Sequence, residues 1–386
     1  METPARLRVL EIGKYYPPHH GGMESHLRTL CLALKDEVDF TVLVASDTRT
    51  TSTETSDGFP VTRVGTWARV ASAPVSPALA YHIWGSKPDV IHIHMPHPAS
   101  IPAYLLAAPN IPLVITYHSD IVRQKHLAKA VAPIIERALA RASIIVTSPQ
   151  YLNSSPVLAR HHERCKVVPL AISPEDFATP DADEVRKLRE RYGPNLVVAV
   201  GRLVYYKGFE YLIRAMGRVD GNLLLIGQGP LLQPLRKIAR ECGVANRVTF
   251  LDGVDDIVPY YHAAEIFVLP SIARSEAFGI VQLEAMACGK PVINTSLDTG
   301  VPFVSLDGIT GFTVPPKDSD SLAHAINLLM ERPELRWQFG VAARQRVSTH
   351  FDVPIMADST MAILREAAYG ARRAARPARA AAASGT

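Results

Sequence analysis

Glu276 and Glu284 stand with seven residues between them in a stretch, 270–291, that also carries Phe278, Gly279, Ile280 and the run Gly289-Lys290-Pro291. A strand ending near Pro270 and a helix running from about Gly279 to a glycine cap at Gly289 put Glu276 in the loop before the helix and Glu284 in its second turn. The backbone N–H groups of Phe278, Gly279, Ile280 and Val281 are then the helix's unpaired donors. Two carboxylates set this way can hold two different parts of one hydroxyl-rich ligand, and the donors can take a further hydroxyl or a phosphate. The plainer readings are an exposed helix carboxylate for Glu284 and a complement to the helix dipole for Glu276.

Upstream, Arg202 and Lys207 share one loop, Gly201-Arg202-Leu203-Val204-Tyr205-Tyr206-Lys207-Gly208. Arg offers a fork of donors and Lys a compact charge, so together they can grip a diphosphate and stabilise it as a leaving group. A solvated basic loop is the alternative. Gly21-Gly22 directly precedes a helix, where the backbone and dipole suit a phosphate, although Gly-Gly pairs are often only turns. His118 ends the run Thr116-Tyr117-His118 and is followed by Asp120. A histidine at a strand's carboxyl end can face a ligand and donate to a hydroxyl. A core histidine satisfied by a neighbouring carboxylate is an equal reading. Gly227-Gln228-Gly229-Pro230 reads as a tight turn with Pro at the first helical position.

These loops need strands and helices to hold them. Short Val/Ile-rich runs at 7–12, 40–45, 90–94, 113–117, 143–147 and 166–169 are continuous rather than alternating, as in a parallel sheet covered on both faces. Amphipathic stretches at 23–34 and 125–142 separate them, the second bearing Lys125, Lys129, Arg137 and Arg141. After a Pro- and acid-rich linker with a helix (171–195), the rhythm restarts with strands at 196–200, 222–226, 247–251, 265–269, 291–294 and 311–314, and helices at 209–216 and 230–242. Repeated strand–helix–strand units make the fold class α/β, with two doubly wound, Rossmann-like domains in series.

Composition agrees. The 386 residues suit two domains, and 47% hydrophobic content fills two cores. No run is long enough to span a membrane, and the first residues lack a signal peptide, so a cytoplasmic protein is expected. The four cysteines have no metal spacing, and three sit on apolar faces of predicted helices as buried thiols. A net charge of +4 without a basic–aromatic stripe argues against nucleic acid. The Ala-rich tail 371–386, with Arg372, Arg373, Arg376 and Arg379, reads as frayed.

Gly21-Gly22, His118, Arg202, Lys207 and the E-x7-E pair Glu276/Glu284 occur in the order seen in a large family of retaining glycosyltransferases, which the chain resembles over most of its length. Within that family it is similar to bacterial O-antigen and exopolysaccharide mannosyltransferases. The resemblance implies the glycosyltransferase-B architecture, with two Rossmann-like domains facing across a cleft: 1–171 plus a returning helix at about 353–370, and 172–352. It implies that Arg202 and Lys207 clamp the donor diphosphate and that Gly21 and Gly22 meet the same phosphates. Glu284 would bind ribose, and Gly253 and Val254 would lie beside the base. Glu276, with backbone at Phe278, Gly279 and Ile280, would bind the donor sugar, and His118 would contact it near the reacting carbon. Asp120 stands on the acceptor side as the one carboxylate to check as a nucleophile.

The donor implied is a nucleotide-diphosphosugar, GDP-mannose first and UDP-sugars next. The acceptor is a saccharide or a polyprenyl-diphosphate-linked saccharide, with peripheral association at the inner membrane face through the basic helix near 125–141. No cofactor and no metal are expected. Asp318-Ser319-Asp320 matches a metal-binding D-x-D string literally, but it precedes a helix and reads as an N-cap, while Asp181-Ala182-Asp183 falls in the linker. A nucleotide-sugar epimerase and a non-catalytic nucleotide-sugar-binding protein are the remaining alternatives.

Overall fold

The structure is a computed structural model that describes residues 6–383 other than 20, 71–72, 98 and 121–124. The chain divides into two compact units, one made of Met1–Thr147, Ser155–Pro169 and Val353–Thr386, the other of Ser148–Ser154 and Leu170–Asp352.

The first unit contains β1 (Leu7–Ile12), β2 (Val38–Ala45), β3 (Ser52–Ser56), β4 (Phe59–Val64), the short pair β5 (Ala68–Val70) and β6 (Ala73–Val75), then β7 (Val90–Met95), β8 (Leu113–Tyr117), β9 (Ser143–Val146) and β10 (Cys165–Val167). Among the described residues eight strands form one sheet in the order β10-β9-β8-β7-β1-β2-β4-β3. All are parallel except β3, which runs antiparallel to β4 at the edge. The central strands β7 and β8 are buried along their whole length, which accounts for their unbroken apolar character.

The β3–β4 hairpin does not appear among the sequence-predicted strands. Its signal was Asp57-Gly58, both at positive φ (56° and 96°), as a two-residue hairpin turn requires. The helix Gly22–Leu34 buries His26, Leu27, Leu30, Cys31 and Leu34. The last helix, Val353–Ala383, packs on that helix and on β7, β8 and β9. It runs past the expected end near 370, so the backbone of the Ala-rich tail is helical as far as Ala383 rather than frayed from 371, in keeping with alanine's helix propensity.

The second unit is an all-parallel sheet of six strands among the described residues: β11 (Leu196–Val200), β12 (Asn222–Ile226), β13 (Val248–Leu251), β14 (Ile266–Val268), β15 (Val292–Thr295) and β16 (Gly311–Val314). Their order is β13-β12-β11-β14-β15-β16. Counted within the unit this is 3-2-1-4-5-6, the doubly wound order whose direction reverses between β11 and β14. Buried side chains on the two faces of the sheet form two separate cores.

Local signals set the helix ends. Asp318 accepts from the N–H groups of Asp320 and Ser321 and caps Ser319–Glu331. Asp181 does the same for Ala182–Tyr192, so Asp181-Ala182-Asp183 is a second N-cap rather than linker. Pro230 lies in the turn before the helix Leu232–Glu241, not at its first position. Of the cysteines, Cys31 and Cys288 are buried, while Cys165 and Cys242 are only half-buried because each sits at the end of an element. Among the described residues no helix is long and apolar enough to cross a membrane.

Candidate active site

In the second unit the loops that follow β11 and β14 leave the sheet at the point where strand order reverses, where open α/β sheets bind ligands. The first carries Arg202 and the turn Tyr205–Lys207; the second carries Ser271, Glu276 and Phe278. They pack back to back. Gly208 has φ +66°, and a Cβ there would run into the Pro270 carbonyl oxygen. Ile272 N–H donates to Tyr206 O at 2.8 Å.

This brings the two chemistries of the sequence into one pair. Lys207 Nζ lies 2.6 Å from Glu276 Oε2, both side chains being only 10% exposed, and Ser271 Oγ donates to the same carboxylate oxygen at 3.0 Å. Burial alone would push the Lys207 ammonium down, but Glu276 beside it more than compensates and holds it above its ordinary value, so it stays charged. Arg202 is exposed and has no ion pair among the described residues.

The helix after Glu276 is Val281–Ala287, shorter than expected, so Glu284 lies in its first turn rather than its second. Glu284 is half-buried and accepts from Tyr261 Oη at 2.7 Å. Desolvation raises its carboxyl above the usual range, against the opposing pull of Tyr261 and Lys207. The N–H groups of Phe278, Gly279, Ile280 and Val281 make no hydrogen bond among the described residues. Their loop is held by buried amides absent from the sequence reading. Gln282 Nε2 donates to Phe278 O at 3.2 Å, and Asn294 Nδ2 donates to Gln282 Oε1 at 2.9 Å.

Gly253 (φ +97°) and Val254 follow β13, beside the turn after β12. There Gln228 Nε2 donates to Asp252 O at 3.0 Å. Gly229 (φ +157°) has no room for a Cβ against Leu203, so three loops of this sheet end are packed together.

In the first unit the corresponding reversal falls between β1 and β7. Gly21 caps the helix Gly22–Leu34, and a Cβ on it would collide with the Glu24 carboxylate of the first turn. His118 follows β8, its backbone N–H donating to Met95 O at 2.9 Å. Asp120 is engaged rather than exposed as a nucleophile: Tyr117 Oη and Ser155 Oγ both donate to its Oδ1, at 2.9 and 2.8 Å.

His118 also heads a buried polar line that the sequence reading missed. His94 Nδ1 lies 3.2 Å from His118 Nε2, and His94 Nε2 2.9 Å from Glu11 Oε2. His92 Nδ1 lies 3.0 Å from Glu11 Oε1, and His92 Nε2 2.7 Å from Thr116 Oγ1. Glu11 pairs with His92 across β1–β7, and His94 with Thr116 across β7–β8, so all point to one sheet face. Burial would raise the Glu11 carboxyl, but His92 and His94 outweigh it and hold it at about 2. His118, His94 and His26, which packs edge-on against both, are pushed below the ordinary histidine range, first by burial and then by neighbouring histidines, His92 among them. The available signal was two histidines at strand spacing, His92 and His94, opposite a glutamate inside an apolar strand.

Two Rossmann-like units, each with its strand order reversing at a switch point, are the architecture of the glycosyltransferase-B class. The family descriptions that match are "Glycosyl transferase 4-like domain" over residues 21–171 and "Glycosyl transferases group 1" over 181–346. The chain is 32% identical over 360 residues to O-antigen chain mannosyltransferase C of Escherichia coli, covering 92% of this chain and 96% of that protein. It is 35% identical over 237 residues to a GDP-mannose-dependent alpha-(1-6)-phosphatidylinositol monomannoside mannosyltransferase of Mycolicibacterium smegmatis, covering 55% and 60%. Among solved structures, sucrose-phosphate synthase of Thermosynechococcus elongatus superimposes with a TM-score of 0.77 at 26% identity, over 94% of this chain and 99% of that one. The chain therefore belongs to the group 1 glycosyl transferases and is a glycosyltransferase.

Proposed function

We propose that the protein is a retaining, metal-independent hexosyltransferase that moves mannose from GDP-mannose to a saccharide or polyprenyl-diphosphate-linked saccharide during synthesis of a cell-surface polysaccharide. The observation that carries this reading is the buried Lys207–Glu276 pair, with Arg202, which has no ion pair among the described residues, in the same loop as Lys207. Lys207 and Arg202 supply two positive charges for a diphosphate, so a leaving group is neutralised by side chains alone. Glu276 holds hydroxyls of the donor sugar, with the N–H groups around Phe278, Gly279 and Ile280 as further donors. Glu284 takes the ribose, and the Gly253–Val254 loop flanks the base. Gly21 and Gly22 offer backbone N–H groups to phosphate, and His118 meets a sugar hydroxyl.

In the reaction the bond from the anomeric carbon to the diphosphate oxygen breaks, and the acceptor hydroxyl oxygen bonds to that carbon on the same face. The hydroxyl proton passes to the departing diphosphate oxygen, and GDP leaves. Asp120 supports this over a covalent intermediate, because two hydroxyl donors already occupy its Oδ1. The choice of mannose rests on the two mannosyltransferases to which the chain is similar. The acceptor's lipid would bring the protein to the inner face of the cytoplasmic membrane from the cytoplasm, with the helix Lys125–Leu139 as the docking element.

The test is thermal unfolding with GDP, UDP, GDP-mannose and UDP-glucose, each with and without EDTA, followed by NMR of the product's anomeric proton. A ligand at a hundred times its Kd stabilises by about 2.7 kcal/mol. A GDP-selective, EDTA-insensitive shift and an α-linked product are expected. A UDP-selective shift would replace the donor, a β-linked product would refute retention, and loss of the shift in EDTA would refute metal independence.

A further inference from the structure

We propose that Glu11, acting through His94, is a positioning device that holds His118 as its Nε2–H tautomer, so that His118 meets substrate as a hydrogen-bond acceptor through Nδ1. This rests on the reading that His118 is a substrate contact. It reverses the donor role expected from the sequence.

The argument is a count of protons along one line of contacts. An ionised carboxylate only accepts. Glu11 Oε1 therefore accepts from His92 Nδ1–H, and Oε2 from His94 Nε2–H. A neutral imidazole carries one N–H, so His94 Nδ1 is left as an acceptor and can bond His118 Nε2, 3.2 Å away, only if that nitrogen carries the proton. His118 Nδ1 is then unprotonated, and it has no partner among the described residues. At the other end, His92 Nε2 is left as an acceptor, and the Thr116 hydroxyl 2.7 Å away is a donor that suits it. All four contacts are satisfied by one assignment with a single charge, on Glu11.

Running the His94–His118 bond the other way would put protons on both His94 nitrogens or on Glu11, in a site where Glu11, His92 and His94 are each no more than 1% exposed. Burial favours the assignment that adds no further charge. The orientation of a functional imidazole by a carboxylate behind it is a general device, here extended by one ring. A negative charge at the far end of the line also strengthens Nδ1 as an acceptor.

The same nitrogens form two candidate metal groupings, His26–His94–His118 and Glu11–His92–His94, with ligand atoms within 4.8 Å of one another. Metal binding by the first would need His94 Nδ1 and His118 Nε2 both free of protons, and by the second His92 Nδ1 and His94 Nε2, so either excludes this assignment.

The experiment uses the full chain labelled with 15N-histidine. Long-range proton–nitrogen correlation at neutral pH reads the tautomer of each ring, and His118 is identified by the signal lost in His118→Asn. A protonated Nε2 and an unprotonated Nδ1 are expected for His118 in the wild-type protein. Glu11→Gln introduces an amide donor into the line and is expected to convert His118 wholly or partly to the Nδ1–H form. Turnover (kcat) should fall roughly 10- to 100-fold while donor KM stays within about threefold. His94→Asn, whose carbonyl can stand in for Nδ1, should keep the His118 tautomer.

An Nδ1–H or doubly protonated His118 in the wild-type protein would overturn the proposal. So would one equivalent of zinc or copper retained through purification. If Glu11→Gln does not fold, the wild-type spectrum still decides. The expected tautomer together with normal turnover by His118→Asn would refute the substrate role of His118 while leaving the proton assignment intact, so the two failures separate.

Discussion

Replacing Lys207 by Met tests whether the buried pair is one unit with two duties. Lys207 and Glu276 are each 10% exposed at the side chain and 2.6 Å apart, so losing the ammonium strands a buried carboxylate. That costs about 3–5 kcal/mol, or about 10 °C in Tm for a cooperative unit of this size. Glu276→Gln strands the ammonium instead, and it too should destabilise. The double variant Lys207→Met/Glu276→Gln leaves no unpaired charge and keeps Ser271 bonded to the amide oxygen. Its cost should be about 0–2 kcal/mol, well below the sum of the singles. The assay is urea unfolding of the four proteins, paired with calorimetric titration of nucleoside diphosphate. Stability should return in the double variant while diphosphate affinity does not. Strictly additive stabilities would refute the pair as a unit, and full diphosphate affinity in Lys207→Met would refute its role in the clamp.

Further outcomes follow from other parts of the site. Glu284→Gln keeps an acceptor for Tyr261 and should leave Tm nearly unchanged while weakening nucleotide binding roughly tenfold; unchanged affinity by calorimetry would remove Glu284 from the site. Stability should fall on acidification in two windows. His118, His94 and His26 have folded-state values below the ordinary 6.5, so their contribution is complete above 6.5 and is lost as pH falls below it. Glu11, at about 2 against 4.5, contributes about 3 kcal/mol above pH 4.5 that disappears toward pH 2, and a urea midpoint flat from pH 7 to 5 would contradict the buried neutral histidines. Asp318→Ala should cost about 1 kcal/mol through the lost cap and leave turnover intact, whereas a metal-binding Asp318-Ser319-Asp320 string would require turnover to collapse.

Much of this protein is legible in its sequence because the signals are local. The continuous apolar strands of the second unit needed only their own composition, and β11, β12 and β16 fall where the sequence puts them. The D-x-D string was readable as an N-cap from its neighbours, and the ordered set from Gly21 to Glu284 was enough to indicate the family. The β3–β4 hairpin was equally local, through Asp57-Gly58, and was passed over because continuous apolar runs were the pattern sought.

Strand order, by contrast, is a property of pairing between distant segments, and it alone brings Lys207 onto Glu276 across 69 positions of sequence. The same holds for Glu11, His92, His94 and His118. Glu11, His92 and His94 are polar residues in apolar strands and His118 follows one, and only the parallel register of β1, β7 and β8 aligns them into one hydrogen-bonded line. Side-chain chemistry was thus set by residue type, while charge state and proton position were decided by tertiary packing, because burial makes each of these groups depend on the partner the fold supplies.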